Sequence, residues 1–173
     1  MTWRHGVSHR LRSLRRTGST ALVAFSAAAL AAGLGRAVIT SYLPVLLADI
    51  RDAPGLIGMV MLVNTIAGFV VPLWVGVWSD RLRSRGHGRT MPFILGGSLL
   101  VAGGLGAIAL GSTSSYALLA LFGAVSYTGI NAVTTAHRAL IPENFQPDAR
   151  ARATGAEEFA MLAGTLAGLV VGG

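Results

Sequence analysis

A chain of 173 residues that is 53% hydrophobic and only 12% charged carries about half the charge of an ordinary soluble domain, and this is the composition of a membrane protein. Its 14 basic residues, all arginine, outnumber 7 acids and leave a charge of +7, but they gather between apolar runs and form no basic stripe interleaved with aromatics, which argues against a nucleic-acid partner. With no cysteine there is no disulfide framework, thiolate nucleophile or thiolate metal site.

Residues 1–20 hold Arg4, Arg10, Arg12, Arg15 and Arg16 and read as a basic cytoplasmic segment. The first apolar span, 21–50, is long enough to cross a bilayer, which takes about 20 residues, and is broken only by Arg36. The stretch RRTGSTALVAFSAAALAAG also has the make-up of a cleaved signal, but the apolar run resumes beyond Arg36 and continues to Ile50, which favours a retained span. A guanidinium at a helix centre costs about 2.5 to 3.5 kcal/mol on insertion scales, so Arg36, with Thr40 on the same face, is a candidate for a substrate or coupling cavity. A structural partner within the bundle would serve Arg36 as well.

A second span, 56–78, carries Asn64 and runs into the charged stretch GVWSDRLRSRGHGRT. The third, 91–111, has a small-residue stripe of Gly103, Ala107 and Gly111. In the fourth, 116–136, Tyr127, Asn131, Thr134 or Thr135, and Arg138 recur at helical spacing, a polar stripe that can meet the hydroxyls of a sugar or bond neighbouring helices. An amphipathic link leads to a fifth apolar run, 159–173, with Gly164, Gly168 and Gly172 four apart, a pattern for close helix packing. That run stops at Gly173, so the sequence is expected to be the N-terminal part of a longer protein.

Twelve of the fourteen arginines fall in the N-terminal segment and in the second and fourth connections, while Arg51 alone lies in the opposite loops. Basic residues stay on the cytoplasmic side, so the N-terminus is expected inside. His5, His9, His87 and His137 lie in or beside basic segments and read as solvated or interfacial; no metal site is expected. No phosphate loop, GxSxG or HExxH motif is present, so an enzyme and a cofactor are not expected.

Between spans two and three, Gly76, Asp80, Arg81 and the pair Gly88-Arg89 resemble the G-x-x-x-D-R-x-x-G-R signature of the major facilitator superfamily. Ser79, Ser84, Arg85, Pro92 and Phe93 extend the likeness to the glycoside-pentoside-hexuronide and sucrose transporter-like group, although the loop is one residue longer and Thr90 and Met91 interrupt its basic run. At the end of span four, Asn131, Arg138, Ala139, Leu140 and Glu143 resemble the N-x-x-x-x-x-x-RALLAD segment of that group, with Glu143 in place of the aspartate.

The resemblance implies an all-α polytopic membrane protein of the major facilitator fold, with about five of twelve transmembrane helices present and a second half to complete it. It implies a secondary transporter in the cell membrane, surrounded by lipid, that moves a small solute such as a sugar. Spans two and four lack the sodium-binding aspartates of melibiose-type members, which points to a coupling proton or to coupling groups in the other half. Gly76, Ser79, Asp80, Arg81, Arg85, Gly88 and Arg89 would form a cytoplasmic gate between the halves. Arg36 has no counterpart in the family, and it is the polar character of the spans that makes Arg36, Thr40, Asn64, Tyr127, Asn131, Arg138 and Glu143 candidates to face the cavity. A drug or metabolite exporter of the same superfamily is the alternative, and a membrane scaffold that moves nothing is the reading from another class.

Overall fold

The computed structural model describes residues 22–23, 25–83, 90–110 and 115–172. Helices make up almost all of them, and no strand occurs among the described residues. The helices are α1 (Phe25–Ile50), α2 (Pro54–Arg83), α3 (Met91–Ala109), α4 (Tyr116–Ala139), the short α5 (Ile141–Asn144) and α6 (Pro147–Gly172). Four of them, α1 to α3 and α4 with its extension to Asn144, are long and apolar enough to cross a membrane.

Their lengths follow from the sequence. At 1.5 Å per residue the 30 residues of α2 extend about 45 Å, more than a bilayer core of about 30 Å, so its last turns carry Asp80 and Arg81 past the apolar layer. Proline at the start of α3 costs nothing, since the first helical N–H groups have no partner within the helix. The last helix begins at Pro147, well before the apolar run that starts near Phe159, because the charged part of the link is itself helical.

Within α1, residues Val38–Tyr42 form a π turn just beyond Arg36. Pro44 lacks the N–H that would bond the Thr40 carbonyl, and a widened turn accommodates that missing rung. Pro72 interrupts α2 in the same way and frees the carbonyl of Gly68.

Packing centres on α4, which lies chiefly against α3 and α2 and also meets α1. Ile39, Leu43 and Leu47 of α1 join Leu119 and Ile130 of α4 in the main core cluster. Close backbone approach supplies the rest. A Cβ on Gly97 would sit 2.8 Å from the Gly129 carbonyl oxygen, and one on Gly129 would sit 2.6 Å from that of Gly97, so neither position of the α3–α4 contact has room for a side chain. In the predicted third-span stripe, Gly103 has nothing near it within 4 Å; the glycine that packs is its neighbour Gly104, against Ser126 and Phe122. On α6, Gly164 meets the Leu30 backbone and Gly168 meets Ala37 and Leu34, while Gly33 of α1 meets Met161 in return. Gly172 closes α6.

The outward surface is apolar. Only 6% of the most apolar window of α2 is buried, and Phe69, Leu99 and Val170 are 77%, 73% and 81% exposed, a face that would be costly in water and is at home among lipid chains.

Candidate functional site

The polar residues of the spans fall into three groups. In the first, α2 and α4 turn Asn64, Tyr127 and Asn131 toward one another's helices. Asn64 and Asn131 are buried, Tyr127 half-buried, and the Tyr127 hydroxyl and Asn131 Oδ1 lie over Gly68, 3.5 and 3.9 Å from where its Cβ would be. Gly68 makes room for these groups, and a larger residue would press on them. Asn131 Nδ2 donates to the Tyr127 carbonyl at 2.8 Å, and Thr134 and Thr135 donate to the carbonyls of Ile130 and Asn131. Much of the α4 stripe is therefore satisfied by its own helix. Asn64 Oδ1 is different: it is buried and accepts no hydrogen bond.

The second group lies on α1. Arg36 is half-buried, and its guanidinium has no ion-pair or hydrogen-bond partner among the described residues. Thr40 is exposed, and its hydroxyl donates to the Arg36 carbonyl at 2.9 Å. A cation in this position with no protein carboxylate beside it can meet an anion or the hydroxyl oxygens of a bound molecule.

The third group sits where the first residues of α1, the last of α4 and the charged part of α6 meet. Arg138 reaches Glu158 with Nη2 and lies 3.6 Å through Nε from Glu157 Oε1. His137 Nδ1 is 3.3 Å from the same Glu157 oxygen, and the Phe25 ring stacks on the imidazole with centroids 3.8 Å apart. His137, expected to be solvated or interfacial, is buried, because α6 delivers an acid to it that is twenty residues away in sequence. Glu157 is fully buried, which its place in a charged link did not suggest. A signal was present in the sequence: two acids inside a run that goes on to become apolar.

Of the expected gate, Ser79 is buried while Asp80 and Arg81 are exposed, and all three are engaged in interactions, as is the exposed Glu143. Gly76 has nothing within 4 Å of its Cβ position. Arg85, Gly88 and Arg89 lie outside the described residues. Three-helix convergence thus brings Arg138 to the acids of α6. No cluster able to hold a metal ion occurs among the described residues.

The sequence matches the family model of the Major Facilitator Superfamily over residues 25–173. The chain belongs to the major facilitator superfamily. Members of this superfamily are transporters, and the helices long and apolar enough to cross a membrane suit a multi-pass protein that contacts lipid. A 42-residue stretch is 52% identical to the "Sucrose transport protein SUT4" of Oryza sativa subsp. indica, and the same holds for that of subsp. japonica. The match covers 24% of this chain and only 7% of the length of either relative. No solved structure matches the chain.

Proposed function

We propose that this major facilitator chain is part of a carrier that moves a sugar or a similar polyhydroxylated solute across the cell membrane by alternating access, coupled to protons and with its N-terminus inside. The similarity to two sucrose transport proteins carries the choice of solute. The half-buried Arg36, which has no side-chain partner among the described residues and lies beside a π turn, supports a cavity on the α1 face, since such turns widen a helix where ligands or motions require it. The chain supplies one helical bundle, and a counterpart bundle completes the central site.

In this reading Asp80 and the arginines around it latch the two bundles at the inner face, in contacts that exist in only one of two arrangements. Solute binding offsets the latch and lets the bundles rock. The test is uptake of radiolabelled sucrose, with other sugars as competitors, in cells that lack a sucrose carrier and express this gene. Accumulation that collapses with a protonophore supports the proposal. Labelled drug efflux without sugar uptake favours an exporter, and no solute movement under any gradient favours a scaffold.

A further inference from the structure

None of the 7 acids of the chain lies in the middle of a span. Asp49 and Asp52 stand at the end of α1 and in the connection after it, while Asp80, Glu143, Asp148, Glu157 and Glu158 stand at the opposite ends of the helices. Arg36 lies close to midway along the 26 residues of α1. At 1.5 Å per residue it is about 20 Å from Asp49 along its own helix. On α6, Gly168 is level with Ala37, and Glu157 lies about three turns before it, a further gap of about 16 Å. No carboxylate of this chain is placed to neutralise Arg36, and its guanidinium makes no ion pair or hydrogen bond among the described residues.

The surroundings of Arg36 form a cleft. Its two neighbours in sequence touch different helices: a Cβ on Gly35 would lie 3.4 Å from Ile130 of α4, and Ala37 meets Gly168 of α6. By helical spacing Phe25 and Ala29 share the face of α1 that carries Arg36, and both are buried. At that end Phe25 stacks on His137, and the contacts of His137 and Arg138 with Glu157 and Glu158 tie α4 to α6. Away from these ties α4 and α6 share hardly any backbone contact among the described residues. Arg36 therefore stands on the α1 wall of a cleft that is closed beside His137 and open beyond it.

We infer that Arg36 binds a carboxylate carried by the solute itself, so that the molecule moved is a small hydroxylated acid bound as a monoanion; this deepens the transport reading above and rests on it. Hydroxyl oxygens of a neutral sugar accept hydrogen bonds from the guanidinium but leave its charge uncompensated in an apolar span, and that charge is what makes an intramembrane arginine costly. A carboxylate accepts two parallel N–H bonds and cancels the charge in the same contact. One guanidinium balances one negative charge. A phosphate ester, with a charge of about −1.5 to −2, would leave negative charge over in the cleft, which favours the carboxylate. The place of Arg36 near the middle of its span suits a central solute site.

The test uses matched pairs that differ only in charge: gluconate against gluconamide and lactobionate against lactobionamide, with glucose 6-phosphate alongside. In calorimetry of the protein in lipid nanodiscs, the acid should bind on the order of tenfold tighter than its amide. That preference should vanish in Arg36→Gln and survive in part in Arg36→Lys, which keeps the charge and loses the planar fork. Circular dichroism and gel filtration establish that each variant is folded. Amides that bind as well as the acids overturn the inference; this is also the result if an acid of the counterpart bundle already neutralises Arg36. Failure of both acids to bind overturns it, as does an acid preference that persists in Arg36→Gln. Tighter binding of glucose 6-phosphate than of either acid overturns the choice of carboxylate. Cells that express the gene separate the two readings. Sucrose uptake on which lactobionate competes no better than lactobionamide removes the acid and leaves the carrier. Arg36-dependent acid binding without movement of any solute removes the carrier and leaves the carboxylate site.

Discussion

The hydroxyl of Tyr42 donates to the carbonyl oxygen of Leu169 at 2.9 Å and so fastens the π turn of α1 to the last helix. The carbonyl of Gly168 lies at 3.4 Å from the same hydroxyl. Within lipid such a bond is worth about 0.6 kcal/mol on average, because both partners also find neighbours in the unfolded helices. Tyr42→Phe should therefore lower the thermal unfolding midpoint in detergent only slightly. If the π turn is a point of bending, the same variant should alter the rate of solute uptake more than it alters stability, and parallel measurement of both separates the two roles.

Glycines on α6 and α3 should respond very differently to substitution. At Gly164 a Cβ would run into the Leu30 carbonyl, backbone that can yield only by parting α1 from α6. Gly164→Ala should cost about 1 to 3 kcal/mol, the usual range for overpacking. Gly103→Ala enters open space and should change stability by no more than about 0.5 kcal/mol. Thermal unfolding of the purified variants checks the contrast; equal losses would mean that α1 and α6 are not held at this distance.

The orientation of the chain can be read directly, because it has no cysteine and any introduced one is unique. Asp52→Cys in the α1–α2 connection should react with a membrane-impermeant maleimide in intact cells. Arg81→Cys and Arg150→Cys should react only after permeabilisation, since arginine-bearing segments stay on the inner side. Reaction of Arg81→Cys from outside would invert the topology.

Asp80 stands at the end of a helix that reaches beyond the apolar layer, exposed and already engaged. Asp80→Asn keeps the size of the side chain and removes its charge, so charge-assisted bonds weaken while insertion is untouched. Uptake should fall on the order of tenfold with unchanged membrane abundance on an immunoblot. Wild-type rates would leave the loop with a topological role alone.

The helices were legible because their cause is local: apolar runs of bilayer length, punctuated by arginine and proline, need no knowledge of neighbours. The start of α6 was less so, since the stretch from Pro147 to Glu158 is too charged to read as part of a span although it is helical. Which glycines pack was harder still. Gly103 and Gly104 are adjacent in sequence and point to different sides of α3, and only the position of α4 decides between them. The His137–Glu157 contact was hidden for the same reason, as each residue looks solvated until α4 and α6 are brought together. Arg36, by contrast, announced itself, because a lone guanidinium in an apolar span has a cost whatever surrounds it.

That cost yields the sharpest prediction about Arg36. With no carboxylate beside it among the described residues, the guanidinium should destabilise the bundle in the absence of solute. Arg36→Leu removes a penalty of about 2.5 to 3.5 kcal/mol on insertion scales, reduced by whatever water reaches this half-buried position, so the variant should unfold at a higher temperature than wild type. The same change should lower sugar uptake by roughly tenfold or more, since a hydrogen bond from a charged donor is worth about 1.5 to 3 kcal/mol. A residue kept only to bond another helix would behave in the opposite way, losing stability on removal. Thermal unfolding and uptake measured on one preparation decide between them: stabilisation with loss of transport places Arg36 at the solute, and destabilisation with transport retained assigns it to packing.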